Sequence, residues 1–215
     1  MRMSELSARS AVPVATIKFY LREGMLTRGE ATSATRAEYG EEHVARLRLI
    51  AALAEVRGLP LARVRDILAL VDAPLDDPIQ AMGRAVGALP PYVVPDPDDA
   101  YPRAQAALEA LGLAFEPRFA AVAQLESAIA AVESAGLPWD EEVVRRYADP
   151  MIRVAADEVA PVGGMTVNDA IAYAVLGTAL YEPILLALRR LAHHHLLATG
   201  RVRARRAGDG SSGHG

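Results

Sequence analysis

The chain has 215 residues, 52% of them hydrophobic, a formal net charge of −4 and no cysteine. That length suffices for one or two domains with a sizeable core, and the absence of thiols excludes disulfides and thiolate metal sites. The opening "MRMSELSARS" lacks the apolar stretch of a signal peptide, and no apolar run is expected to reach the roughly 20 residues that a membrane span needs. The expectation is a cytoplasmic protein with no membrane partner.

Charge is distributed unevenly. Residues 1–74 hold 11 basic and 9 acidic side chains, residues 75–200 hold 8 and 17, and the tail from Arg201 holds 4 and 1. The front therefore tolerates a polyanion while the middle repels one.

Taken in chain order, apolar residues recur at helical spacing over 3–10, 13–23, 41–56 and 61–71. In the first pair, a helix ending near Ser10, a tight turn at Ala11 and Val12, and Pro13 opening a second helix have helix-turn-helix spacing. On the second helix Thr16, Lys18 and Tyr20 are expected to point outward, with Val14, Ile17 and Leu21 inward. Hydroxyl and ammonium groups so placed contact phosphates and base edges in a major groove; the same pattern also fits a solvated face of an ordinary small bundle. Between the second and third helices, "GMLTRGEATSATRAEY" is rich in Gly, Thr and Ser and suits a β-hairpin wing.

After the fourth helix, "VDAPLDDP" and "LPPYVVPDPDD" bracket a short apolar segment. The domain boundaries expected are 1–74 for the winged helix-turn-helix, 75–100 for a linker with a short dimerisation helix, 101–200 for an all-helical domain and 201–215 for a disordered basic tail. In the helical domain residues 101–135, 139–160 and 166–198 read as helix. Pro150 and Pro183 each imply a kink or a break, and Asp149 is placed to cap the second half of the former segment. The fold class is thus mainly α, a winged helix-turn-helix followed by an all-helical C-terminal domain.

Trp139, Tyr147, Tyr173 and Tyr181 supply most of the aromatic surface of that domain and are the candidate ligand-binding residues, core packing being the competing reading. Its acidic balance favours a neutral, apolar or cationic effector over a phosphate. His193, His194 and His195 point about 100° apart on a helix and cannot converge on one ion, so no metal and no other cofactor is expected. No nucleophile–base constellation, no phosphate loop and no His pair at i, i+4 stands in the chain, which argues against an enzyme.

The succession "MSELSARSAVPVATIKFYLREGML", a wing closing with "TRAEY", then "HVARLRLIAAL" and "RGLPLARVRDIL" closely resembles the MerR family of bacterial regulators over residues 2 to about 71. The match is most specific at Thr16, Phe19, Tyr20, Gly24, Leu26, Arg36, Tyr39, Arg46–Leu47–Arg48 and Gly58. The resemblance implies that Thr16 and Lys18 sit on a recognition helix, that Tyr20 approaches the DNA backbone, that Arg36 and Tyr39 belong to a first wing and Arg57 to a second. Phe19, Leu26 and Leu47 are expected in the core. The chain departs from the family at Ala15, where a polar contact residue is usual, at Ala11, where the turn glycine is usual, and in the two residues between Arg36 and Tyr39, where one is more common. The implied partners are double-stranded DNA carrying an inverted repeat, a second copy of the chain, RNA polymerase at a promoter and a small-molecule effector. In the alternative, the helical domain is only a dimerisation or protein-interaction module.

Overall fold

The computed structural model describes residues 1–33, 36–73, 77–96 and 98–200; the tail expected from residue 201, with Arg201, Arg203, Arg205 and Arg206, lies outside them. Two compact units are defined, Met1–Leu180 and Tyr181–Gly215.

The first unit begins with α1 (Met3–Ser10) and α2 (Val14–Arg22). Glu5 in the first turn of α1 and Arg9 in its last match the helix dipole. Pro13 precedes the first residue of α2 with the fixed φ that starts a helix well. A two-stranded antiparallel hairpin follows, β1 (Glu30–Ser33) and β2 (Arg36–Glu38), in register Glu30 to Glu38 and Ala31 to Ala37, with an irregularity before the Ser33–Arg36 pair. Only glycine fits at position 29, because a Cβ there would stand 2.3 Å from the Glu38 carbonyl oxygen.

Next come α3 (Glu41–Ala51), a π-turn at Ala52–Val56 and α4 (Leu61–Asp72). Arg46 of α3 ties this part together: Nε donates to the Met25 carbonyl at 2.9 Å, and the two terminal nitrogens grip Asp72 at the end of α4 at 2.7 and 2.6 Å. Leu6, Ile17, Leu26, Leu47, Ile50, Leu53 and Ile67 are the fully buried centre of this region, so the expected core roles of Leu26 and Leu47 hold. Phe19 is only half-buried, packed against the same cluster.

α5 (Pro78–Gly87) starts where the Asp77 carboxylate accepts from the backbone N–H groups of Ile79 and Gln80, at 2.9 and 3.3 Å. Expected as a linker and dimerisation element, this helix buries Ala81 and Ala85 in the front core, where Leu89 joins them.

The stretch 101–135 is two helices rather than one. α6 (Pro102–Leu111) ends at Gly112 in the left-handed conformation, and α7 (Ala120–Ser134) begins eight residues later. Alanine and leucine content hid the break, which the Gly112 conformation makes. α8 (Glu141–Val159) starts on Asp140, whose carboxylate accepts from the Val143 N–H at 2.9 Å. It runs through Pro150, so Asp149 caps nothing: its position is helix interior. A 3₁₀ turn at Ala160–Gly164 leads to α9 (Val167–Ala198), also continuous through Pro183.

α9 amends the sequence reading on membranes. It is long and apolar enough by length and composition to cross one, with a mean hydropathy of 1.7 over its most apolar 18 residues. Charged side chains such as Glu182 interrupt its apolar sequence, so that its full length does not stand out along the chain. Four residues of the helix, Ala170, Ile171, Val175 and Ala179, are buried in protein, the last three within the front core. Two smaller clusters complete the first unit, Tyr101–Ala104–Val122–Ala123 and Ala107–Ile129–Val144.

Candidate nucleic-acid interface

The turn between α1 and α2 is held from inside. Ser7 Oγ donates to the Val12 carbonyl at 2.7 Å, Ser10 Oγ donates to the Leu6 carbonyl at 2.7 Å, and the Val12 N–H reaches Ser10 Oγ at 3.3 Å. Ala11 takes the left-handed conformation, φ 59°, that the turn requires. Arg9 and Glu41 form a two-pronged ion pair, its longer arm 2.7 Å, that clamps α1 to the start of α3. This partnership raises the Arg9 pKa and lowers that of Glu41.

α2 is rooted by Ile17 and Tyr20 and turns Ala15, Lys18 and Arg22 to solvent, with Thr16 half-covered beside them. Positions 15, 18 and 22 follow i, i+3, i+7 and form one ridge. The Arg22 guanidinium lies 5.3 Å from the centre of the Phe19 ring, which steadies a long cation at the end of the ridge. Arg22 escaped the sequence reading, although its spacing of four from Lys18 marks it.

Two aromatic residues are corrected. Tyr20, expected outward, is 5% exposed. It sits three residues after Ile17 and shares that buried face, and burial, then the charge of Glu55, pushes its phenol pKa up. Tyr39, expected on the wing, follows β2 and is 8% exposed, with its ring edge-on to His43 at 5.1 Å between centres. Its backbone pairs with the chain start: Tyr39 N–H donates to the Met1 carbonyl at 2.9 Å and the Met1 ammonium donates to the Tyr39 carbonyl at 2.7 Å. Both tyrosines hold the frame on which the interface stands.

Arg36 opens β2 opposite Ser33, and its side chain lies outside the described part of the structure. Arg57 ends the π-turn, its N–H donating to the Ala52 carbonyl at 3.0 Å, half-buried just before Gly58. It stands in the loop before α4.

The four aromatic residues of the ligand reading stand at separate places in the chain's elements. Trp139 packs on the Ala107–Ile129–Val144 cluster, Tyr147 is half exposed on α8, Tyr173 is half-buried on α9 and Tyr181 belongs to the second unit. A cleft of about 590 Å³ opens elsewhere in the first unit, bounded by α4, α5 and the segments 92–95 and 116–120. None of the four lines it.

A turn-linked helix pair presenting its second helix beside a hairpin wing defines a winged helix-turn-helix protein of the transcription-regulator class. The family model of MerR helix-turn-helix regulatory proteins matches residues 1–70. Among solved structures, the chain is similar to the candidate transcriptional regulator SCO5550 from Streptomyces coelicolor A3(2), at 32% identity and a TM-score of 0.71, over 99% of this chain and 100% of that one. No curated protein matches. The chain belongs to the MerR family of DNA-binding transcription regulators.

Proposed function

We propose that the protein acts in the cytoplasm as a homodimer on an inverted-repeat operator, each α2 entering a major groove, and regulates transcription by RNA polymerase at that promoter under the control of a small-molecule effector. The observation that carries the DNA reading is the exposed Ala15–Lys18–Arg22 ridge on a helix rooted by Ile17 and Tyr20. Lys18 and Arg22 supply cations and Thr16 a hydroxyl, and we assign Arg36 to a first wing and Arg57 to a second. Ala15, lacking a polar group, offers only apolar contact, so base readout falls more on its neighbours and on the shape of the DNA.

Dimerisation is supported by α9. Ile184, Leu188 and Leu191 stand exposed at i, i+4, i+7, and Leu186, Leu196 and Leu197 add to the uncovered apolar surface. A second copy of the same helix covers such a stripe, and α5, whose Ala81 and Ala85 are committed to the core, is a poorer candidate. The cleft beside α4 favours effector control over the alternative of a pure interaction module.

Footprinting on DNA from upstream of the protein's own gene, with the mass of the free protein in solution, tests the reading. A dimer mass and a protected site with two-fold symmetry are expected. Protection lacking that symmetry, or a monomer mass at the concentrations that protect, overturns the dimer. An in vitro transcription assay on the same fragment then separates activation from repression.

A further inference from the structure

The charge of the helical half as a whole points away from anions, but the cleft beside α4 has the opposite local balance. Its charged side chains are Arg63, Arg84, Arg118 and Glu116. Glu116 is already engaged, Oε1 accepting from the Arg118 backbone N–H at 3.2 Å. Arg63 lies 5.2 Å from the centre of the Tyr92 ring and 3.6 Å from Asp66. Arg84 and Arg118 are exposed and make no ion pair among the described residues.

The walls are apolar and open. Ile79 and Val94 are 82% and 91% exposed, and Tyr92 and Phe119 are also uncovered. A pocket of about 590 Å³ falls in the range of small-molecule sites, roughly 300–1,000 Å³. Its shape is built into the chain. At Gly83 a Cβ would lie 3.3 Å from the Phe119 ring, and at Gly87 it would meet the Ala120 Cβ at 3.0 Å, so two glycines one turn apart let α5 approach the start of α7. The far wall is pinned by Gln124, whose Nε2 donates to the Pro91 carbonyl at 2.8 Å, and by the Tyr101 hydroxyl, which accepts from the Asp96 N–H at 2.6 Å.

We propose that this cleft binds an amphipathic small-molecule anion, an aromatic or aliphatic carboxylate, whose apolar body lies against Ile79, Tyr92 and Phe119 while its charged end meets Arg84 and Arg118. Guanidinium forks suit a carboxylate bidentately. Because Arg63 and Leu70 of the cleft belong to α4, a bound ligand touches the helix that Arg46 and Asp72 tie to α3. Occupancy therefore biases the DNA-binding half by the difference in ligand affinity between its arrangements. This deepens the effector reading above and rests on it for its consequence at DNA, while the binding itself stands apart.

The test uses the full chain and the fluorescent anion 8-anilinonaphthalene-1-sulfonate, displaced by 2-naphthoate or by its neutral isostere 2-naphthamide. Saturable binding at one site per chain is expected, with the carboxylate at least ten times the better competitor. In the Arg84→Gln/Arg118→Gln double variant, whose changes are at exposed positions, binding of both anions should weaken at least tenfold and that of the amide stay the same. Equal competition by acid and amide, or full anion affinity in the double variant, overturns the site. Operator affinity is then measured with and without saturating naphthoate, and a shift of threefold or more is expected in the wild type and not in the double variant. No shift in the wild type overturns the coupling. Arginine-dependent anion binding by a chain that protects no DNA would overturn the functional reading and leave the cleft standing, whereas a symmetric footprint without anion binding does the reverse.

Discussion

The front and the rear of the first unit are packed by different means. Around α1 to α4 the fully buried side chains are large and aliphatic, Leu6, Ile17, Leu47, Ile50, Leu53 and Ile67 among them. Between α6 and α7 the contact is made largely by small residues, Ala104, Ala107 and Ala123, with Val122 and Ile129. Small residues bring helices close but bury little surface each, so the rear leans on polar ties: Arg103 of α6 meets Glu126 at 3.0 Å and Glu133 at 2.7 Å on α7, and Glu126 also accepts from the Ala104 N–H at 2.9 Å. A core of large residues holds a reading head rigid, while a thinner core leaves room for a cleft whose walls are only partly covered.

With these two kinds of core, truncation harms the front and enlargement harms the rear. Leu47→Ala should cost about 2–5 kcal/mol in urea unfolding, because a fully buried leucine leaves a cavity. Ala104→Leu should cost about 1–3 kcal/mol by overfilling the α6–α7 contact. A Leu47→Ala loss below about 1 kcal/mol, or a neutral Ala104→Leu, would break the comparison.

The interface is built on the rigid half and should be separable from it. Lys18→Ala and Arg22→Ala are each expected to weaken operator binding by about 1–3 kcal/mol if the contact is to a base edge, with the melting temperature unchanged because both side chains are exposed. Tyr20→Phe, at a buried position, should move stability and leave the salt dependence of binding as it is. Fluorescence anisotropy on the protected fragment measures all three, and an unchanged affinity in both cation variants removes the ridge as the contact surface.

In the rear, Glu126 carries a pH signature. Burial on its own would raise its pKa, but the Ala104 N–H and the Arg103 guanidinium outweigh it and hold the carboxylate below its ordinary 4.5. A depressed folded-state pKa contributes stability that is present above pH 4.5 and is lost as pH falls through the folded value. Glu126→Gln should therefore cost about 1–2 kcal/mol at pH 7, with the gap to wild type closing at pH values below 4.5. A gap that is constant with pH would assign the tie to packing.

How much of this was legible in the sequence follows the same divide. Pro13, Gly24, Gly58 and Pro60 punctuate the front, and the helices fell where periodicity put them. Periodicity was less reliable for amphipathic side chains: Tyr20 and Tyr39 have a polar tip that reads as surface, yet their rings fill space beside Ile17 and His43. In the rear, the abundance of alanine and leucine on both sides outweighed the breakers Gly112 and Pro117, and Gly112 does end α6 in the left-handed conformation. The cleft could not be read at all, since its walls come from residues 63 to 120 on separate segments, and no local pattern joins Arg63 to Arg118. Bulk charge misled for the same reason: a domain-wide excess of carboxylates says little about which side chains the fold collects around one opening.

The smallest expected effect concerns the seam between reading head and scaffold. Ala11 adopts φ 59° and ψ 16°, a left-handed conformation in which a Cβ crowds the following carbonyl. Glycine is the residue that turn ordinarily favours. Ala11→Gly relieves the folded-state strain, roughly 1–2 kcal/mol, but gives back part of it because glycine has more freedom to lose on folding, about 0.5–1 kcal/mol. The net expectation is a gain of about 0.5–1 kcal/mol in urea unfolding. Ala11 is exposed and the serine hydroxyls that brace the turn are untouched, so α2 should keep its position and operator affinity should not change. A destabilised Ala11→Gly would mean that the unfolded-state term exceeds the strain; an altered affinity would place Ala11 itself against the DNA.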